Sequence, residues 1–171
     1  MSPLGATIGA VALLMSPAVD VAGARTADSI LHSKRLWATV NVCDTVGHPD
    51  SLGIRGSMPG SGDRREEMFM RFQVQYFKPS DEQWHDLGQA GDSGWVDVGT
   101  ARPTARQAGR TFTITPPRPG TPAYLLRGVV TFEWRENGIA VRRARKRTSA
   151  NHPNTAGADP AAASAATCSV S

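Results

Sequence analysis

The stretch MFMRFQVQYF, residues 68–77, alternates between apolar and mostly polar positions. Met68, Met70, Phe72, Val74 and Tyr76 share one side of an extended chain, and Phe69, Arg71, Gln73, Gln75 and Phe77 the other. A strand points successive side chains to opposite faces, so this pattern specifies a half-buried member of an antiparallel sheet. The same alternation recurs at 124–134, where Tyr124, Leu126, Gly128, Val130, Phe132 and Trp134 fall on one face. Asn137-Gly138 comes three residues later. Both residues accept positive φ, which a two-residue hairpin turn requires, so 139–148 reads as the returning strand.

Other segments repeat the pattern less strongly. In 36–43, Leu36, Ala38, Val40 and Val42 alternate with Trp37, Thr39, Asn41 and Cys43. Shorter candidate strands lie at 52–58, 83–87, 95–98 and 110–115. The segments 44–50, 59–66, 99–109 and 116–122 read as turns and loops, and the 17 glycines and 12 prolines supply their chemistry. No apolar period of 3.6 is sustained after residue 24. The expectation is an all-β fold, a sandwich of two antiparallel sheets with about seven or eight strands, with a small barrel as the alternative. The 171 residues suit one such domain.

Residues 4–15 form a short apolar run, too short to span a bilayer, and Ala22-Gly23-Ala24 follows as an A-x-A cleavage site. No Lys or Arg precedes the run. The pattern predicts an export signal over 1–24 and a secreted chain. A flexible leader is expected at 25–35, the β-sandwich domain at 36–148 and a C-terminal tail at 149–171. No later stretch is long and apolar enough for a membrane helix. Cys43 and Cys168 are the only cysteines. In an oxidising compartment they read as one disulfide, with two unpaired thiols as the other reading. The bond would close a loop of roughly 125 residues and contribute up to about 4–5 kcal/mol on the chain-entropy model. It would also hold the tail, which otherwise reads as coil, against an early strand.

Net charge is +4, which permits contact with polyanions without requiring it. The positive charge concentrates in the run 142–147, RRARKR. On a strand, Arg143, Arg145 and Arg147 share one face and Arg142, Ala144 and Lys146 the other. Two readings follow: charges that guard a sheet edge, or a site for an anionic polymer. No aromatic platform interleaves with the run and no nucleic-acid motif is present, so nucleic acid is the less favoured polyanion. Trp84 and Trp95 sit near polar loops and are the candidate sugar-contacting pair. Trp134 is assigned to the core.

Asp44, His48 and Asp50 occupy one turn and are the alternative site, a metal-dependent binder or secreted enzyme. Such residues are also ordinary turn formers. A second loop gathers Asp81, Glu82, His85 and Asp86. His32 and His152 fall in segments expected to be mobile. Glu66-Glu67 beside Arg64 and Arg65 read as solvated ion pairs. No G-x-S-x-G elbow and no Cys/His cluster occurs. No catalytic residue, metal or cofactor is therefore assigned, and the expected role is a non-catalytic binding or structural module.

Residues 67–148 resemble a fibronectin type III domain. MRFQVQYFKPSDEQWHDLG looks like an alternating strand, a polar turn and a Trp-bearing strand of that fold. RTFTITPPRPGTPAYLLRGVV looks like the next strand, a Pro-Gly-Thr corner and a Tyr-led strand, and EWRENGIAVRRARKRT like the final hairpin. The resemblance implies an immunoglobulin-like or fibronectin III-like sandwich. It implies that Tyr124 is a corner tyrosine whose hydroxyl bonds loop backbone. The whole chain is also similar to exported, Ig-like proteins of high-GC bacteria that carry no assigned function. The tail ending at Cys168 is foreign to the type III pattern.

Overall fold

The computed structural model describes residues 29–102 and 104–171; the expected export signal at 1–24 lies outside them. Among the described residues, nine strands form two antiparallel sheets. The smaller sheet has the order β1-β2-β6, from β1 (Trp37–Thr45), β2 (His48–Met58) and β6 (Arg106–Thr113). The larger has β3 (Glu66–Lys78) and β7 (Tyr124–Glu136) at its centre. β4 (Gln83–Asp86) and β5 (Asp92–Thr100) both pair with β3. β8 (Ile139–Arg147) and β9 (Cys168–Val170) both pair with β7. Among the described residues, no helix is long and apolar enough to cross a membrane.

The two alternating segments pair with each other, Met68 opposite Trp134, Met70 opposite Phe132 and Phe72 opposite Val130. All six of these side chains are fully buried, and they meet Leu52, Ile54 and Met58 from the smaller sheet. Each contributes on the order of 1.5–3 kcal/mol by leaving water. Trp134 also satisfies its one polar atom, donating from Nε1 to the Pro59 carbonyl at 3.1 Å. Gly128 faces this layer because Ile54 lies directly over it: a β-carbon there would come within 2.8 Å of Ile54 and Thr148. The expected hairpin turns at Asn137 (φ 51°) and Gly138 (φ 79°).

Several elements exceed their expected bounds. Only Val46 and Gly47 form the turn between β1 and β2, so most of 44–50 is strand. β3 begins at Glu66, and β6 begins at Arg106 inside the segment read as loop. The pair read as solvated is also different in part: Glu66 is buried, bonded to Ser61 (2.6 Å) and paired with Arg142. A helical turn at 29–31 buries Ile30 in the core, so the leader expected to be flexible is anchored there.

The tail adds a third layer. Ala165 exchanges two backbone hydrogen bonds with Val40, both 2.9 Å, and Asp159 N–H donates to the Asn41 carbonyl. Asn41 Nδ2 donates to the carbonyls of Ala156 (3.3 Å) and Gly157 (2.7 Å). His152, expected to be mobile, stacks on Trp37 with ring centroids 4.6 Å apart. This covers the outer face of β1, whose first six residues are all buried. The tail then crosses to the larger sheet as β9, and the Cys43–Cys168 disulfide joins β1 to β9.

Candidate functional site

The outer face of the larger sheet is the side that β3 and β7 leave polar. Register sets its rows. Gln75 lies opposite both Asp86 and Arg127. Gln73 faces Val129, which faces Arg147. Trp95, Arg71, Thr131 and Arg145 form the next row, and Asp97, Phe69, Glu133 and Arg143 the one after. Directly opposed residues on adjacent strands share a face, so the basic strand and both candidate tryptophans occupy one surface. Sequence proximity could not show this, because the aromatic residues reach it from β4 and β5, which β3 and β7 separate from β8.

The face divides into two halves of different charge balance. At one end the cations are matched. Arg135 lies over the Phe69 ring (4.2 Å) and the Trp95 ring (4.5 Å) and bonds Glu133 Oε2 at 2.7 Å. Arg143 Nε donates to Glu133 Oε1 at 2.7 Å. Glu133 is only 2% exposed beneath these two guanidiniums. Arg71 grips Asp92 through Nε at 2.9 and 3.0 Å, and that bond holds the Asp92 carboxyl below the usual carboxylate range.

At the other end the cations are unmatched. Arg127, Arg145 and Arg147 line a cleft of about 410 Å³ with Gln75 and Val129; Lys146, whose side chain belongs to the opposite face with Val130, lies at its margin, and among the described residues no carboxylate lines it. Arg127 is held in place by its neighbours. Its guanidinium lies 4.1 Å over the Trp84 ring. Its Nε donates to Gln75 Oε1 at 2.8 Å, and Gln75 Nε2 donates to Asp86 Oδ1 at 2.9 Å. Burial lowers the Arg127 pKa, and the positive charges of Arg147 and Arg145 lower it further. Among the described residues, no hydrogen bond or ion pair engages the side chains of Arg145 or Arg147, or the Nη groups of Arg127. A guanidinium fixed through Nε presents its two Nη groups as a fork that fits a phosphate, sulfate or carboxylate.

Of the three arginines named from sequence, Arg145 and Arg147 therefore reach this cleft and Arg143 is committed to Glu133. Trp84 is half-buried and Trp95 is 37% exposed, and each has one indole face covered by a guanidinium. Sequence reasoning missed Arg127. The signal was present: it is an outward position of the 124–134 alternation, on the strand that the Asn137-Gly138 turn folds against the basic run.

The alternative site is organised differently. Asp44 Oδ1 accepts from the Asp50 backbone N–H at 2.8 Å, closing a bulged turn. His48 Nδ1 pairs at 3.0 Å with Asp159 of the tail, which also bonds Thr45. Thr45 and His48 hold the Asp159 carboxyl below its usual range. In the second loop, Asp81 pairs with Lys78 (3.2 Å) and His85 (3.0 Å). Among the described residues, no group of three His, Cys, Asp or Glu side chains is placed to hold a metal. Tyr124 is 44% exposed, and its hydroxyl makes no hydrogen bond among the described residues, so the corner role expected of it is not formed. No protein-family model matches the chain, and no curated protein matches it in sequence.

Proposed function

We propose that this chain is a secreted, non-catalytic binding module that engages an anionic polymer through Arg127, Arg145 and Arg147. The carrying observation is the cleft shared by the three outward guanidiniums of Arg127, Arg145 and Arg147, with no carboxylate in its lining among the described residues and one guanidinium held by Trp84 and Gln75. Like charges crowded on a sheet face repel, and an oxyanion seated among them relieves that repulsion. The lining offers cations, an amide and a valine, which suit binding rather than nucleophilic or general-base chemistry. The disulfide supports export, because such bonds persist in oxidising compartments. The immunoglobulin-like or fibronectin III-like family remains part of this proposal, supported by the two-sheet architecture.

Inorganic polyphosphate and neutral dextran, immobilised separately, test the reading. Polyphosphate should retain the protein at low salt and release it as the screening length falls toward about 3 Å near 1 M. Replacing Arg127, Arg145 and Arg147 together by Ala should weaken retention about tenfold or more, whereas Arg143→Ala should weaken it far less. Equal retention on dextran and polyphosphate would overturn the proposal.

A further inference from the structure

The smaller sheet has two edges, and they are treated differently. The β1 edge is covered by the tail. The backbone edge of β6 is open among the described residues, although the Gln107 side chain meets the tail, donating to the Asn154 carbonyl and accepting from the Ala156 N–H, both at 3.0 Å. Ile114 N–H donates to the Asp50 carbonyl at 2.7 Å, in register with β2–β6 pairing. Antiparallel bonding alternates, so even-numbered residues of β6 bond β2. Gln107, Gly109, Thr111 and Thr113 then turn their N–H and C=O groups to the free edge.

Beside that edge the larger sheet projects further than the smaller one covers. One cleft of about 560 Å³ lies between Arg106–Ala108 and Asp97–Gly99. Another of about 490 Å³ lies at the far end of the strand, lined by Ile114, Tyr76, Leu87, Tyr124 and Leu126. Val96, Val98 and Leu87 are only partly buried along this flank. The inward-facing residues of β6 are those opposite Met58, Gly56, Ile54 and Leu52: Arg106, Ala108, Arg110 and Phe112. Inward charges on an edge discourage pairing with a like or apolar strand. Here they are also unanswered: Arg106 Nε is shut off from water without an acceptor, and Arg110 is exposed with no ion pair among the described residues.

We propose that β6 is a docking edge for an extended peptide of a partner protein. That peptide places acidic side chains against Arg106 and Arg110 and apolar ones against Phe112 and Ile114. It adds an antiparallel strand, so its backbone supplies affinity through the outward groups of β6 and its alternate side chains supply selectivity. The charge pattern favours an acidic partner over a second copy of this chain, whose own β6 would set Arg against Arg.

The test uses the full chain and the peptide Val-Thr-Val-Thr-Glu-Thr-Val-Thr-Glu, acetylated and amidated, whose alternate residues match β6 read backwards. Amide hydrogen exchange at Gln107, Gly109, Thr111 and Thr113 should slow on binding. Thr111→Pro removes an outward donor and should abolish binding. Arg110→Glu, at an exposed position, should reverse the preference toward the same peptide with Lys in place of Glu at its fifth residue alone, the one opposite position 110, by about tenfold. Unchanged exchange, equal binding of the Glu and Lys peptides to the unmodified chain, or equal binding of a scrambled Glu peptide would overturn the proposal. Dimerisation through β6 without peptide would overturn it too.

Discussion

Arg127 and Arg143 are the same residue type on the same sheet face, yet their neighbours give them opposite roles. Arg143 answers Glu133, and Arg127 is aimed by Gln75 and Trp84 with its Nη groups left open. Gln75→Leu keeps the stem volume but removes the Nε acceptor, so polyphosphate affinity should fall by about 1 kcal/mol, roughly fivefold, in a titration. Glu133→Gln removes the charge that answers two guanidiniums. Polyphosphate should then bind more tightly while the urea midpoint falls by the equivalent of about 1–3 kcal/mol. Gly128 makes a different kind of demand. Its missing β-carbon is the space Ile54 occupies, so Gly128→Ala should cost about 1–3 kcal/mol, read from the same midpoint at unchanged slope. The 124–134 alternation placed this glycine on the inward face, but only the opposing sheet shows what fills the gap.

Among the elements, β3, β7 and β8 were legible because each carries its own instruction. The first two alternate over long runs, and the third is fixed by a turn that admits positive φ at two residues. The alternation of Arg143, Arg145 and Arg147 was legible in the same way. Which of them stays free was not, because that depends on Glu133 and Val129 across the β7–β8 register. β9 and the tail crossing were hidden for another reason. Cys168 and Val170 are too few to make a pattern, and 149–166 is held by backbone bonds to β1 that any residue type can supply, together with scattered side-chain contacts of His152, Asp159 and Ser164 that form no period. The outer face of β1 shows the consequence: Thr39 and Asn41 are buried there because their side chains bond Ser164, Ala165, Ala156 and Gly157. The early start of β6 was missed because Arg106 and Arg110 point inward, where a strand pattern leads one to expect apolar residues.

At the scale of the molecule, three layers and one disulfide make stability sensitive to acid and to reductant. Burial against Trp37 holds the His152 pKa below its usual value. Asp92, Asp81 and Asp159 lie below the carboxylate range through Arg71, His85 and Thr45 with His48, and Asp63 is pushed down to about 2 by Arg65. Each of these groups binds fewer protons folded than unfolded at pH values between its two pKa values, so stability rises with pH there. Thermal midpoints should decline as pH falls below about 6.5, where unfolded His152 gains a proton, and more steeply below about 4, where the carboxylates follow. Reducing the disulfide at neutral pH should cost about 2–5 kcal/mol in urea unfolding, with the tail bonds to β1 the first to exchange. The same link determines how the domain would carry mechanical load. Tension applied at Trp37 and Val170 runs along β1 to Cys43, crosses the sulfur bridge and leaves through Cys168. The 125-residue separation between the cysteines lies outside that path. In single-molecule stretching the oxidised chain should yield only a few short β1 and β9 residues, whereas the reduced chain should lengthen by about 400 Å more.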